Sequence, residues 1–255
     1  MNIEKIIEAA EAGGKILKDY FGQGMDTIQK SVASDFYTKA DLDSEKAIFG
    51  ILKKEFPDFN IFSEENGKIE KGSEYTFIID PMDGTNNFVI GIPDFSVSIG
   101  LFKNDEAVAG VINMPIVGHT YHAEKGKGAF FNGMKLQVND EKDIQKSTVL
   151  YSCGYKIVRD TLDKAIVSLH KINVKRILLN WSPASVFCLL ASGKIEAIVN
   201  DRIELHDYAA GKLIAREAGA KVTDFEGNKE RDDKNDAFII SNGTEIHEKI
   251  IKCFR

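Results

Sequence analysis

Disulfide chemistry is the first thing this sequence lacks. Its three cysteines, at 153, 188 and 253, are odd in number and far apart, so they read as free thiols in a reducing compartment. Long apolar runs are missing too. Two uncharged stretches, 107–123 and 177–193, fall short of the roughly 20 apolar residues that span a bilayer, and they contain Asn113 and Pro115 or Asn180 and Pro183. The opening segment, MNIEKIIEAAEAGGKILKDYF, is charged throughout and has neither the apolar stretch nor the small-residue site of a signal peptide. A cytoplasmic protein is expected, in which the sequons at Asn180 and Asn242 carry no meaning. Positive charge is not in excess: 33 Lys and Arg against 39 Asp and Glu leave a formal charge of −6. That balance argues against a nucleic-acid polymer or an anionic membrane as partner. A phosphate-bearing ligand would have to be held locally, by backbone amides or bound cations. The sequence also has no Walker loop, internal repeat or low-complexity linker.

What is present, 43% hydrophobic and 28% charged residues, suits a globular body of one or two domains with a real core. Ile3, Ile6, Ile7, Ala10, Leu17 and Phe21 recur at helical spacing, which predicts a helix over 2–21 ended by the Gly22 to Gly24 stretch. Ile48, Ile51, Leu52 and Phe56 predict a second over 43–56, stopped by Pro57. Short β-rich runs at 75–80, 95–102, 107–113 and 119–123 predict a mainly antiparallel sheet. The second half alternates strands near 148–152, 175–180, 195–200, 220–224 and 237–240 with helices near 160–170, 183–192, 208–218 and 244–252. The mixture is α+β or α/β in layers. The charged stretch 224–236 reads as a solvated loop, and a seam is placed near 140–147.

Chemistry concentrates in IIDPMDGTNNF, residues 78–88, where an apolar strand runs into Asp80 and a turn holds Pro81, Asp83, Gly84 and Thr85. Two carboxylates so close repel each other unless a cation lies between them, and hard divalent ions such as Mg²⁺ favour oxygen ligands of this kind. The amides of Gly84 and Thr85 would face an anion beside that metal. Read alone, the same turn would serve equally well to cap local backbone. Glu64 and Glu65 of SEEN stand at another strand end. Asp207 and Asp41 each precede a predicted helix, where capping is the default role. His119 and His122 would point to opposite faces of a strand, with no Cys or acidic partner at ligand spacing, which argues against zinc there. Cys153 and Cys188 lack a local nucleophile motif.

Taken in order, DPMDGTNNF, SEEN, KAD at 39–41, GKGAFFNG at 126–133 and HDYAAG at 206–211 resemble the inositol monophosphatase family. These are lithium-sensitive, magnesium-dependent phosphatases acting on inositol, fructose-bisphosphate and nucleotide 3′-phosphates. The first motif is the most specific, being close to Asp-Pro-Ile-Asp-Gly-Thr-x-Asn-Phe. The resemblance covers most of the chain and implies a layered αβαβα sandwich, usually a homodimer. It divides the chain into a helix-and-antiparallel-sheet half, 1–143, and an α/β half, 144–255. It also implies two or three Mg²⁺ ions per active site. Glu64, Asp80 and the Met82 carbonyl would hold one, and Asp80, Asp83 and Asp207 another, with Glu65 in the outer shell. Asp41 and Thr85 would orient the attacking water, and Gly84 and Thr85 amides would receive the phosphate.

Departures from the family bear on the substrate. His206 stands where the family commonly has Trp, and it reads as a partly exposed helix-start residue or as a substrate contact. Asn200 stands where inositol-specific members carry a hydroxyl-binding Glu, and Trp181, Ser182 and Pro183 replace a Gly-Ser/Thr-Ala segment. The implied activity is hydrolysis of a small phosphorylated metabolite, inositol 1-phosphate first. Fructose 1,6-bisphosphate, histidinol phosphate and 3′-phosphoadenosine 5′-phosphate are the alternatives, with a non-catalytic metal- and phosphate-binding protein as the competing class.

Overall fold

A computed structural model describes residues 2–32, 35–154, 159–179 and 182–255; the expectations attached to Asn180 and Trp181 lie outside them. The first helix, α1 (Ile3–Tyr20), buries Ile6, Ala9, Ala10, Gly13, Gly14 and Leu17 along one stripe, as its periodicity predicts. A short hairpin follows, β1 (Ile28–Gln29) with β2 (Phe36–Tyr37). The second helix, α2 (Lys39–Glu55), begins earlier than the predicted 43. Thr38 Oγ1 accepts the Ala40 N–H at 3.1 Å, and Asp41 Oδ2 accepts the Thr38 N–H at 2.7 Å. A capping box of this kind starts a helix before its apolar stripe begins. Asp41 is therefore inside the first turn and does not precede the helix.

The first sheet has β3 (Asn60–Ser63), β4 (Gly67–Ile69), β5 (Tyr75–Asp83), β6 (Ser96–Lys103), β7 (Glu106–Met114), β8 (His119–Glu124), β9 (Gly128–Phe131) and β10 (Met134–Lys135). Their spatial order is β10-β9-β8-β7-β6-β5-β3-β4. All pairs are antiparallel except β3 with β5. A one-turn helix, α3 (Thr85–Val89), leaves the end of β5. The second sheet has β11 (Thr148–Cys153), β12 (Arg176–Leu179), β13 (Ala197–Asp201), β14 (Lys221–Thr223) and β15 (Ala237–Ser241), in the order β12-β11-β13-β15-β14. Here β11 is parallel to both neighbours, while β15 is antiparallel to both of its own. Helices α4 (Arg159–Lys171), α5 (Pro183–Ala191), α6 (Leu205–Glu217) and α7 (Glu245–Phe254) complete the order.

Alternation along the strands sorts the apolar residues into three layers. Leu17, Ile48 and Leu52 of α1 and α2 meet Ile79, Val97, Ile99 and Val111 on one face of the first sheet. Ile78 and Ile112 on its other face meet Phe187, Leu213 and Ile214 of α5 and α6, which in turn cover Leu150, Ile198 and Ile240 of the second sheet. Val149, Val199 and Ile239 on the far face of that sheet are covered by Leu169, Ile246 and Ile250 of α4 and α7. The result is the expected αβαβα stack.

Two features place the central layer. Gly100 and Gly110 are cross-strand partners, and a Cβ on them would lie 3.0 Å from Ala209 Cβ and 2.8 Å from the Ala210 carbonyl oxygen. Their bare backbone lets α6 lie directly on the sheet. The stretch 224–236 is a largely exposed loop, as expected, but it is also pinned to α6. Arg216 pairs with Asp233 through both guanidinium nitrogens, Asp233 Oδ2 also accepts the Ala107 N–H at 2.8 Å, and Lys212 meets Glu230 at 2.8 Å. Lys212 is 2% exposed, and a buried ammonium requires such a partner. Gly110→Ala is expected to cost about 1–3 kcal/mol, because backbone cannot move aside. Gly50→Ala, at an α2 position with open space around it, should instead stabilise by up to about 1 kcal/mol. Urea unfolding of the two variants checks both signs.

Candidate active site and metal centre

Residues i and i+3 of a regular strand point to opposite faces, yet Asp80 and Asp83 at the end of β5 serve one site. The pairing with β6 runs Asp80↔Ser98 and then Asp83↔Ser96, with an irregularity between them. That extra residue is a bulge, which turns Asp83 back to the side of Asp80. The parallel partner β3 ends beside them. Glu64 N donates to the Ile79 carbonyl at 3.1 Å, and the turn behind it is clamped to α2 by Glu45, which accepts from Ser63 Oγ and from Asn66 Nδ2 and, at 3.3 Å, Asn66 N. The third contributor is the start of α6, where Asp207 Oδ2 accepts the Glu204 N–H at 3.1 Å. The helix starts at Leu205, earlier than expected, so Asp207 is a first-turn carboxylate and not the cap residue itself.

Asp80, Asp83 and Asp207 each place one oxygen so that the three lie within 4.8 Å of one another, and Glu64, Asp80 and His206 do the same with two oxygens and a ring nitrogen. Asp80 belongs to both groups. The first trio, all carboxylate oxygens, is a donor set suited to Mg²⁺. Asp83 Oδ2 is turned away by three donors, Ser182 Oγ at 2.7 Å, Ala184 N at 3.0 Å and Ser96 Oγ at 3.2 Å. These come from α5 and β6, and they fix the rotamer. Asp41 and Thr85 also meet as expected, with Thr85 Oγ1 3.1 Å from Asp41 Oδ1 and 3.0 Å from the Met82 carbonyl oxygen. Asp41 Oδ2 accepts from Thr38 Oγ1 at 2.7 Å. Gly84 has φ 91°, a conformation open chiefly to glycine.

Burial dominates the electrostatics. It pushes Asp41 up to about 6 and Asp83 to about 7, against the hydrogen bonds each accepts. Asp80 and Asp207 stand well above the ordinary carboxylate range, first through burial and then through the charge of the neighbouring carboxylates. Glu65 reaches about 8 from burial and the charge of Glu64. Glu64 alone stays below its ordinary value: burial acts upward, but His206 and Lys30 outweigh it.

Lys30 went unnoticed in the sequence. Its ammonium, just beyond β1, lies 2.7 Å from Glu64 Oε1 and 2.5 Å from Glu65 Oε1. A lysine in a polar segment more than thirty residues upstream gives no local signal. Ser96 gives no local signal either, and Ser182, marked in the sequence only as part of a segment that departs from the family, turns out to hold Asp83. His206 differs from expectation: it is 5% exposed, inside α6, with its ring among the carboxylates. Asn200 is fully buried in β13, and its Nδ2 donates to the Asp236 carbonyl at 2.7 Å while Oδ1 has no partner among the described residues. No hydrogen bond among the described residues joins Asn200 to the carboxylates. His119 and His122 pack on Phe131 and Phe130.

The family model described as "Inositol monophosphatase family" matches residues 2–255. A Thermotoga maritima protein named fructose-1,6-bisphosphatase/inositol-1-monophosphatase is 37% identical over 239 residues, 94% of this chain and 90% of that one. A Pasteurella multocida protein named Nus factor SuhB is 34% identical over 86% of this chain and 83% of its own. Among solved structures, the extragenic suppressor protein suhB of Bartonella henselae superposes with a TM-score of 0.92 at 32% identity, covering 99% of this chain and 98% of that one.

A carboxyl whose pKa is raised by folding stabilises the fold below its unfolded value, about 4, and the contribution is lost as pH rises through the folded value. For Asp41, Asp83 and Glu65 that loss extends from about 4 up to about 8. In EDTA the melting temperature is therefore expected to be lower at about pH 8 than at about pH 5, and saturating Mg²⁺ at the higher pH should reverse the fall. A metal-free melting temperature that climbs across this window would contradict the account.

Proposed function

This chain belongs to the inositol monophosphatase family, and we propose that it is a Mg²⁺-dependent phosphomonoesterase hydrolysing a small phosphorylated polyol or sugar, inositol 1-phosphate first. The family is one of phosphatases, which supports a hydrolase acting on phosphate esters. The observation that carries the finer reading is the convergence of Asp80, Asp83 and Asp207 within 4.8 Å at the end of β5, beside the Asp41–Thr85 pair. Bound there, a divalent ion supplies a water acidic enough to give hydroxide near neutral pH and offsets phosphoryl charge.

The chain's own residues do the rest in this reading. Asp80, Asp83 and Asp207 would hold one ion, and Glu64, Asp80 and the Met82 carbonyl would hold the other, with Glu65 behind them. Thr85 Oγ1, donating to Asp41 Oδ1, keeps its lone pairs for the attacking water and fixes the direction of attack. The amides of Gly84 and Thr85 receive the phosphate, and the positive φ of Gly84 lets the backbone turn towards it. Because α3 is only five residues long, these amides act as individual donors more than as the end of a helix dipole. Asn200 is fully buried with its Oδ1 closed to solvent, so it does not supply the hydroxyl contact that inositol-specific members make with a Glu at this position, which widens the choice to sugar phosphates. The double name of the Thermotoga relative makes fructose 1,6-bisphosphate the first alternative.

Phosphate release from inositol, sugar, histidinol and nucleotide phosphates, with Mg²⁺, with EDTA and with added Li⁺, tests the proposal. Activity on at least one of them is expected, abolished by EDTA and lowered by Li⁺. Asp80→Asn should lower kcat by at least about a hundredfold. Thr85→Ala should lower kcat by about a hundredfold with KM nearly unchanged. Near-normal activity of Asp80→Asn would sink the two-ion scheme, and folded protein that binds phosphates without hydrolysing any would leave a binding role.

A further inference from the structure

One of the two trios contains a nitrogen. We infer that Glu64, Asp80 and His206 form a mixed nitrogen–oxygen site that takes a first-row transition dication, with Mn²⁺ and Zn²⁺ as its probes, while Asp80, Asp83 and Asp207 keep the oxygen-only site for Mg²⁺. This inference rests on the metal-dependent reading above and changes the identity of one of its ions.

Among the described residues the imidazole is held by no hydrogen bond and meets only carboxylates. His206 is 5% exposed, and neither ring nitrogen makes a hydrogen bond among the described residues. Its Nε2 instead stands 3.9 Å from Glu64 Oε2, and equally 3.9 Å from carboxylate oxygens of Glu204 and Asp207. The contrast is His247, a core histidine whose ring nitrogens meet Ser241 Oγ at 2.8 Å and Thr223 Oγ1 at 3.0 Å. The Nε2 faces carboxylate oxygens at a distance too long for a hydrogen bond, and a cation shared with Glu64 and Asp80 would sit between them. The spacing suits it. Two donors about 2.1 Å from one ion are separated by about 3.4 Å at the tetrahedral angle and about 4.2 Å when opposite, and 3.9 Å falls between.

The ring is aimed by the fold. The His206 carbonyl accepts from Ser98 Oγ at 3.2 Å, and the seating of α6 over Gly100 and Gly110 fixes the height of its first turn. Glu64 presents different oxygens to different neighbours: Lys30 takes Oε1 at 2.7 Å, and Oε2 faces His206. Imidazole favours transition dications over Mg²⁺, and mixed nitrogen–oxygen sets follow the order in which Zn²⁺ binds above Mn²⁺. Tryptophan, the residue the family commonly has here, cannot ligate, so this property belongs to the chain and not to its family.

The test uses the full-length protein stripped of metal. Mn²⁺-loaded protein should show imidazole ¹⁴N coupling in pulsed electron paramagnetic resonance, and calorimetry should find a Zn²⁺ site tighter than any Mg²⁺ site. In His206→Gln the nitrogen coupling should vanish and Zn²⁺ affinity fall by at least about tenfold, with Mg²⁺ affinity held within about twofold. His206→Trp, a substitution that the scaffold of the family accepts, should lose the coupling in the same way if His206→Gln fails to fold. Absence of nitrogen coupling in the wild type, or its persistence in either variant, would overturn the assignment of His206 while Mg²⁺ binding still supported the phosphatase reading. Failure of Mg²⁺ itself to bind would instead remove the reading on which the inference rests.

Discussion

Repulsion among buried carboxylates is the constraint around which this molecule is arranged. Asp80, Asp83 and Asp207 are drawn from both sheets and their helices into one spot, with Glu64 and Asp41 beside them; burial acts upward on all five, and all but Glu64 end above the ordinary carboxylate value. Removing so many charges from water is unfavourable unless a cation, a proton or aimed donors compensate. The structure shows the partial compensations directly: Lys30 on Glu64 and Glu65, three donors on Asp83, Thr38 and Thr85 on Asp41. What remains uncompensated centres on the two groups that share Asp80, whose donor atoms lie close enough together to hold a metal ion.

Holding such a cluster against its own repulsion takes a rigid frame, and the five-layer stack provides it. The bulge in β5, the cap on α2, the clamp of Glu45 on the Ser63–Asn66 turn and the glycine pair under α6 are separate devices with one effect. Each fixes a carboxylate-bearing segment, and in the two helix starts one oxygen of the site carboxylate itself, Asp41 or Asp207, makes the cap. The central layer matters most. Because α5 and α6 are packed between both sheets, the donors that fix Asp83 and the turn that carries Asp207 and His206 are positioned by the same core. The pinning of residues 224–236 by Arg216 and Lys212 adds a polar fastening at the other end of α6.

The sequence by itself determined the layered class of the fold, because alternation with period two and stripes with helical spacing are local properties that survive into the structure. It also marked Asp80 and Asp83, since two carboxylates in one tight turn at a strand end are unusual without a cation. Boundaries were less legible. The starts of α2 and α6 are set by capping hydrogen bonds of Asp41 and Asp207, which outrank the apolar pattern from which helices are read. Only the tertiary structure decided the partners. Lys30, Ser182 and Ser96 are polar residues of ordinary surroundings in the chain, and they gain meaning only when distant segments meet. His206 is the sharpest case: the sequence allows an exposed helix-start histidine, while packing of α6 on Gly100 and Gly110 buries the ring and turns it toward Glu64 and Asp80. Spacing along a chain fixes which faces exist, and only packing fixes what each face meets.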